Sequence, residues 1–282
     1  MDDEKNVVVT GSFDDLRSRH VRFLEEAAKM GAVHVLLWPD EIVRSLEGKL
    51  KLPQEERLYL LRAIRYVRRV TVVADETARD AIPQVDEVRP DVWVVDEASA
   101  DARSDDARKR VYCESRGVAY RVLKEEDLTG FPVARFDAHT DRGQPARRKV
   151  IVTGCYDWFH SGHVRFFEEV SELGDLYVVV GHDANVRLLK GEGHPLFPQD
   201  VRRYMVGSIR TVKQALVSTG HGWMDAEPEI ARIKPDIYAV NEDGDKPEKK
   251  EFCRAHGIQY VVLKRVPKEG LPRRESTVLR GF

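Results

Sequence analysis

Residues 7–24, VVVTGSFDDLRSRHVRFL, and residues 150–167, VIVTGCYDWFHSGHVRFF, are two versions of one segment set 143 positions apart. The correspondence runs on in the same order. PQEERLY at 53–59 answers PQDVRRY at 198–204, RPDVWVV at 89–95 answers KPDIYAV at 234–240, and RGVAYRVLK at 116–124 answers HGIQYVVLK at 256–264. A chain repeated along nearly its whole unit must fold as two copies of one architecture. Within each copy, short β-branched runs alternate with helical patterns, so the expected class is α/β: two tandem Rossmann-like domains, each a parallel sheet flanked by helices.

In the second copy the pattern predicts strands at 150–153, 176–181, 214–218, 236–240 and 259–263, and helices at 161–173, 198–212 and 246–256. Such an order places a site at the carboxyl ends of the strands. Residues 125–148, EEDLTGFPVARFDAHTDRGQPARR, mix Gly, Pro and scattered charge with weak periodicity and read as a linker. The domains are therefore taken as 1–147 and 148–282.

The 282 residues suffice for two domains with cores of their own. A net charge of −2 speaks against a general nucleic-acid binder. No apolar run is long enough to span a bilayer, and the opening MDDEKN is polar and acidic, which reads as a soluble, cytoplasmic protein. Cys113, Cys155 and Cys253 lack metal-type spacing and suggest no disulfide framework.

The stretch from Thr153 to His163 carries the chemistry. A strand ends at Thr153-Gly154, and His160 and His163 stand at i and i+3, with Gly162 between them, where a helix begins. A helix start presents unpaired N–H groups and a partial positive charge to an anion, and glycine lets a phosphate approach the backbone. Imidazoles there can donate to oxygens that gain charge in a displacement at phosphorus.

TGCYDWFHSGH resembles the pattern of the HxGH nucleotidyltransferases, the superfamily of cytidylyltransferases and related adenylyltransferases, approximately G-x-[FY]-D-x-x-H-x-G-H. It fits at Gly154, Tyr156, Asp157, His160, Gly162 and His163. The tandem arrangement resembles that of ethanolamine-phosphate cytidylyltransferases, with the intact copy second. What the resemblance implies is transfer of CMP from CTP to a small phosphorylated or phosphonate acceptor, with pyrophosphate released. Adenylyl transfer from ATP to a sugar phosphate such as heptose 1-phosphate is the alternative, and flavin or pantetheine adenylyl transfer stands behind it. A non-catalytic nucleotide-binding module is the reading from another class.

By the same resemblance, His160, His163, Lys190 and Arg202 are the catalytic set, with Lys190 on a mobile loop and Arg202 binding nucleotide phosphates. Thr153, Gly154, Cys155, Tyr156, Asp157 and Gly162 form the nucleotide-binding turn, Cys155 without chemistry of its own. Arg273 or Arg274, with Ser276 and Thr277, would bind the terminal phosphates. Asp183, Asn241, Glu242 and Asp243 lie where base or acceptor is selected. Magnesium is expected to arrive with the triphosphate, through no dedicated cage of side chains.

The two copies are chemically unequal. Arg17 stands in place of His160 and Arg19 in place of Gly162, although His20 remains, and Glu47 replaces Lys190. The first domain is expected to be silent and to act as a built-in partner to the second, an intramolecular pseudo-dimer open to further homodimerisation. An anion pocket formed by Arg17, Arg19 and His20 is the alternative role.

Overall fold

The structure, a computed structural model, describes residues 4–74, 81–100, 105–132 and 147–276. It forms two compact units, Met1–Gly130 and Phe131–Phe282. The first runs β1 (Asn6–Gly11), α1 (Ser18–Ala28), β2 (Ala32–Leu37), α2 (Asp40–Glu47), α3 (Gln54–Ala63), β3 (Val67–Val72), α4 (Ile82–Val88), β4 (Val92–Asp96), α5 (Glu97–Ala100), α6 (Asp105–Arg116), β5 (Ala119–Leu123) and α7 (Glu125–Leu128). The second repeats it as β6 (Lys149–Gly154), α8 (Ser161–Leu173), β7 (Asp175–Val180), α9 (Asp183–Lys190), α10 (Gln199–Gly207), β8 (Val212–Val217), α11 (Glu227–Ile233), β9 (Ile237–Asn241), α12 (Pro247–Ala255) and β10 (Gln259–Leu263).

Each sheet is parallel throughout, in the orders β3-β2-β1-β4-β5 and β10-β9-β6-β7-β8. Such strands are covered on both faces, which is why β6 is an uninterrupted apolar run: Val150, Ile151 and Val152 are all fully buried. From β6 the chain winds outward through α8 to β7 and β8, then returns to β9 on the other side. Right-handed crossovers put α8 and α10 on one face and α11 and α12 on the opposite one. Ile151, Tyr177 and Tyr238 meet Ile230, Ile233 and Cys253 on that second face. The reversal of direction between β6 and β9 opens a crevice at the carboxyl ends of these two strands.

The expected linker begins too early. Glu125–Leu128 is a helix of the first unit, anchored by the buried Leu128 and by the Arg22 guanidinium donating to the Asp127 carbonyl. Phe131 stacks on Tyr204 at 4.8 Å between ring centroids and so belongs to the second unit. The units divide at Gly130 and Phe131, ahead of the boundary expected near 147, and residues 133–146 between the two lie outside the described residues. Helix α10 stops at Gly207 rather than Val212, because the Ser208 hydroxyl turns back to the Met205 carbonyl at 2.6 Å and Ile209 and Val212 both turn into the core.

Two buried clamps recur in both units. In the second, Asp157 accepts from the Leu196 and Phe197 amides at 2.7 and 3.0 Å. Arg202, 1% exposed, donates to the carbonyls of Phe197, Cys155 and Gly181 and to the Asp183 carboxylate at 2.7–2.8 Å. In the first, Asp14 holds the Lys51 and Leu52 amides, while Arg57 donates to the carbonyls of Leu52, Ser12 and Trp38 and to Asp40. Each arginine ties the turn after the first strand to the end of the second. Arg202→Met leaves three carbonyls and a carboxylate without their donor, and the expected loss is about 3–5 kcal/mol of stability, read as a fall in the denaturant midpoint of the full chain.

Candidate active site

The turn after β6 is held by an aromatic residue in a rare conformation. Tyr156 has φ 53°, in the left-handed region that side chains other than glycine seldom adopt. Its buried ring lies edge-on to His163 at 5.2 Å and against Phe167 at 5.4 Å, and this packing holds the conformation. The ring folds back over Gly154 so closely that a Cβ there would sit 2.8 Å from it. Phe13 repeats the geometry with φ 47°.

His160 caps α8. Its Nδ1 accepts from the Gly162 amide at 3.1 Å, and the Nδ1 of His163 accepts from the His160 amide at 3.3 Å. With both Nδ1 atoms accepting, the hydrogen-bond pattern assigns the proton of each neutral ring to Nε2. The Gly162 amide of the helix start is therefore not left free for an anion; the imidazole takes that bond and keeps its own N–H donor on the far side of the ring. The rings stack at 3.9 Å between centroids, and the His160 Nε2 is buried with no partner among the described residues. Burial, helped by the nearby Arg265 and Arg274 charges, pushes the His160 pKa down to about 3. Burial, then His160, Arg265 and Lys190, hold His163 well below the usual histidine range. Both are neutral N–H donors at physiological pH.

A cavity of about 470 Å³ opens above them in the crevice between β6 and β9. Gly162 gives access, since a Cβ there would meet the His160 ring at 3.0 Å. Thr153, Gly154, Cys155, Tyr156, Asp157, Asn241, Asp243 and Ser276 also line it. Lys190 lines the cavity too, but from the last position of α9 and not from a loop, with Gly191 closing that helix at φ 83°. The Thr153 hydroxyl is paired with that of Tyr238 at 2.8 Å, and Ser276 donates to the Trp158 carbonyl at 3.1 Å. Burial raises the Cys155 thiol above its ordinary value, which leaves it a packing group.

Several expected residues are placed elsewhere. Arg202 is locked in its clamp and offers nothing to the cavity, and Asp183 is its counter-ion. Asp157 borders the cavity, but its Oδ1 is taken by backbone amides. Glu242 accepts from the Arg265 amide at 3.4 Å and lies outside the lining. Arg273 is exposed beside Glu275, while Arg274 acts through its charge on His160 and its carbonyl on Arg265. Thr277 lies outside the described residues.

The arginine sought in the tail comes instead from Arg265, just after β10, donating to Asp243 and to the Arg274 carbonyl at 2.8 Å each. Lys249, Trp223 and Asp225 are further cavity residues that sequence reasoning passed over. Comparing the copies gives the signal for Arg265, whose first-half counterpart is Glu125.

The first unit's cavity, about 280 Å³, has the same framework with its charges rearranged. His20 Nδ1 still accepts from the amide at 17, but Arg17 pairs with Asp15. Arg19, in the place of Gly162, is gripped by Asp96 at 2.6 Å and Glu125 at 2.8 Å, the counterparts of Asn241 and Arg265. The expected anion pocket is thus neutralised from within.

Comparison with known proteins identifies the family. Residues 8–128 and 151–269 each match the model of the cytidylyltransferase-like family. The chain belongs to that family. The relatives, members with it of the nucleotidyltransferase superfamily, include the FAD synthase of Aciduliprofundum boonei, 38% identical over 119 residues that cover 41% of this chain and 76% of that protein. The FAD synthase of Ferroglobus placidus is 36% identical over 125 residues, 43% of this chain and 78% of the other. The bifunctional protein HldE of a Nitratiruptor species is 35% identical over 105 residues, 36% of this chain and 22% of that protein. Among solved structures, a lipopolysaccharide core biosynthesis protein from Thermoplasma volcanium aligns over 44% of this chain and all of its own at 24% identity and a TM-score of 0.38. Among the described residues, no helix is long and apolar enough to cross a membrane.

The histidine arrangement has a direct spectroscopic consequence. The folded pKa values lie below the unfolded value of about 6.5, so the folded rings stay neutral as pH falls through it. Imidazole ¹⁵N resonances of His160 and His163 are expected to keep the Nε2–H tautomer from pH 8 to pH 5. Because the unfolded state binds these protons first, the two rings should also make the fold less stable as pH drops through that window.

Proposed function

We propose that the second unit transfers a nucleoside monophosphate from a nucleoside triphosphate to a small phosphorylated or phosphonate acceptor. An acceptor oxygen attacks the α-phosphorus, the new P–O bond forms as the bond to the β-phosphate bridging oxygen breaks, and pyrophosphate leaves. The observation that carries this reading is the stacked histidine pair, whose Nδ1 atoms are fixed by the backbone so that Nε2–H donors are left for the substrate. These donors meet the charge on the equatorial and leaving oxygens, and Lys190 and Arg265 supply cations at the same cavity. Neutral imidazoles suit this task, because no proton need be transferred at phosphorus.

Among the described residues no three His, Cys, Asp or Glu side chains gather as a metal cage. The cavity carboxylates Asp225 and Asp243 are engaged by Ser218 and Arg265. Magnesium enters this reading as part of the substrate, chelated by the triphosphate.

We favour ATP as donor. Sequence patterns alone pointed to CTP; what supports ATP is the run of FAD synthases among the relatives, enzymes that attach an adenylyl group. CTP is the second reading, supported by the resemblance of the tandem arrangement and of KGEGHPLFPQDVR at 190–202 to cytidylyltransferases. The first unit, with Arg19 held by its own carboxylates and Glu47 in the place of Lys190, is proposed to be silent.

Pyrophosphate release by the full chain, measured with the magnesium complexes of ATP and CTP against a panel of phosphorylated acceptors, tests the reading. His160→Ala and His163→Ala should each lower the rate by about 10²-fold or more with the fold retained. Arg17→Ala should leave turnover unchanged. Normal turnover in either histidine variant would remove the mechanism, and a collapse in Arg17→Ala would give the first unit an active part.

A further inference from the structure

The crevice of the first unit is narrowed but not filled. Trp38 closes one end of it. The Trp38 amide donates to the Gly11 carbonyl as the Gly181 amide does to that of Gly154, both at 3.0 Å, so the indole stands where the second unit has a glycine. It packs on the cluster that includes Val8, Val85 and Trp93, and it lines the cavity. The place over the helix start, left open by Gly162 in the second unit, is closed by Arg19 in its bridges to Asp96 and Glu125. Between these two closures a cavity of about 280 Å³ remains, against about 470 Å³ in the second unit. That is small for a ligand pocket but large enough for a nucleoside-sized molecule.

The remaining cavity keeps polar atoms that packing alone would have removed. In the second unit the Thr153 hydroxyl pairs with that of Tyr238 at 2.8 Å. The match of RPDVWVV to KPDIYAV puts Trp93 in the place of Tyr238. The Thr10 Oγ1, counterpart of that of Thr153, is accordingly buried with no partner among the described residues. The Trp38 Nε1 is buried and unpartnered among the described residues in the same way. A buried hydroxyl or indole N–H left without a partner weakens a fold, and valine or phenylalanine would occupy the same space without that loss. The second unit shows what such an atom can serve, since its buried and unpartnered His160 Nε2 is the donor assigned to substrate. His20 adds a third donor, because its Nδ1 accepts from the Arg17 amide and the proton of the neutral ring stays on Nε2. At the rim, the exposed Glu47 ends α2 with no ion-pair partner among the described residues, where the second unit has Lys190.

These features define a ligand by its chemistry. Phe13, Phe23, Val94 and Val95 give apolar walls that suit a planar ring. Donors without partners call for acceptor atoms on that ring. A free carboxylate at the rim accepts from hydroxyls and repels phosphate, and the one arginine of the cavity is already held by Asp96 and Glu125. We propose that the first unit's crevice binds a nucleoside that carries no phosphate. The base occupies the apolar chamber and accepts from Thr10, His20 and the Trp38 indole N–H, and the ribose hydroxyls donate to Glu47. The transfer reading of the second unit enters only as kinship, one scaffold holding the phosphorylated form of a ligand class in one copy and the unphosphorylated form in the other.

Adenosine is the probe, titrated calorimetrically into the full chain with its second crevice filled by saturating magnesium α,β-methylene ATP, which does not turn over. Binding should persist under these conditions and fall by about tenfold or more in Glu47→Gln and in Thr10→Val. Neither change threatens folding. Glu47 is exposed, and valine replaces an unpartnered hydroxyl at constant shape, so the denaturant midpoint of free Thr10→Val should stay level or rise while its affinity for adenosine falls. Adenosine 5′-monophosphate should bind this site about tenfold more weakly than adenosine, and Glu47→Gln should narrow that gap. Binding of the triphosphate analogue should be unchanged in both variants. Adenosine affinity equal in wild type and both variants overturns the site, as does an absence of adenosine binding. Adenosine that the triphosphate analogue displaces belongs to the second crevice and overturns it as well. Adenosine binding that responds to both variants in a protein that binds no triphosphate upholds the site and overturns the transfer reading instead.

Discussion

A parallel sheet that reverses its direction of winding beside its first strand leaves one crevice that no crossover helix can cover, and both units are organised around it. In the second unit the reversal lies between β6 and β9. Helix α8 begins on one side and brings His160 and His163 to the crevice, and α12 approaches from the opposite face and brings Lys249. Donors thus converge from both faces of the sheet on one cavity, and neither helix alone could enclose a substrate with two charged ends. The capping geometry makes this economical. One imidazole ring both closes α8 and presents a donor, so the integrity of the helix start and the aim of the functional group cannot vary independently.

The duplication separates what the fold needs from what the chemistry needs. The buried arginine clamp and the aspartate that holds two backbone amides occur in both copies with the same partners, as expected of groups that hold a turn to a strand end. Gly162, Gly181, Lys190, Asn241 and Arg265 are replaced by Arg19, Trp38, Glu47, Asp96 and Glu125. Every one of these changes alters charge or fills space at the crevice, and only Trp38 also packs on the core beneath it.

Sequence reasoning reached the fold because its signals were local: a repeat, β-branched runs between helical periods, and a strand-turn-helix carrying two histidines. Helices α9 and α11, of 8 and 7 residues, escaped because so short a span barely completes two turns of periodicity. At the site, the histidine pair was legible and the cations were less so. Arg202 and Arg265 look alike as letters, and only the tertiary structure shows one surrounded by carbonyls and the other facing the cavity. Lys249 sits in DKPEKKEF, a run that reads as a solvated helix face until α12 is seen to turn that one lysine inward. Trp223 follows a glycine with φ 72° in a single 3-10 turn, Gly222–Met224, whose direction is set by Asn185, a residue distant in sequence.

The grip of Asp96 and Glu125 on Arg19 bears on how the two copies could have diverged and whether the divergence can be undone. Exchanging Arg19 for glycine by itself would uncover two carboxylates at the spot where a polyanion must sit. Exchanging the carboxylates first would strand a half-buried guanidinium without counter-ions. Each single step back is worse than the present state, so the closed first crevice is a local optimum that point mutation cannot easily leave. A duplicated fold can in this way hold one copy as a fixed scaffold while the other remains free to change its ligand.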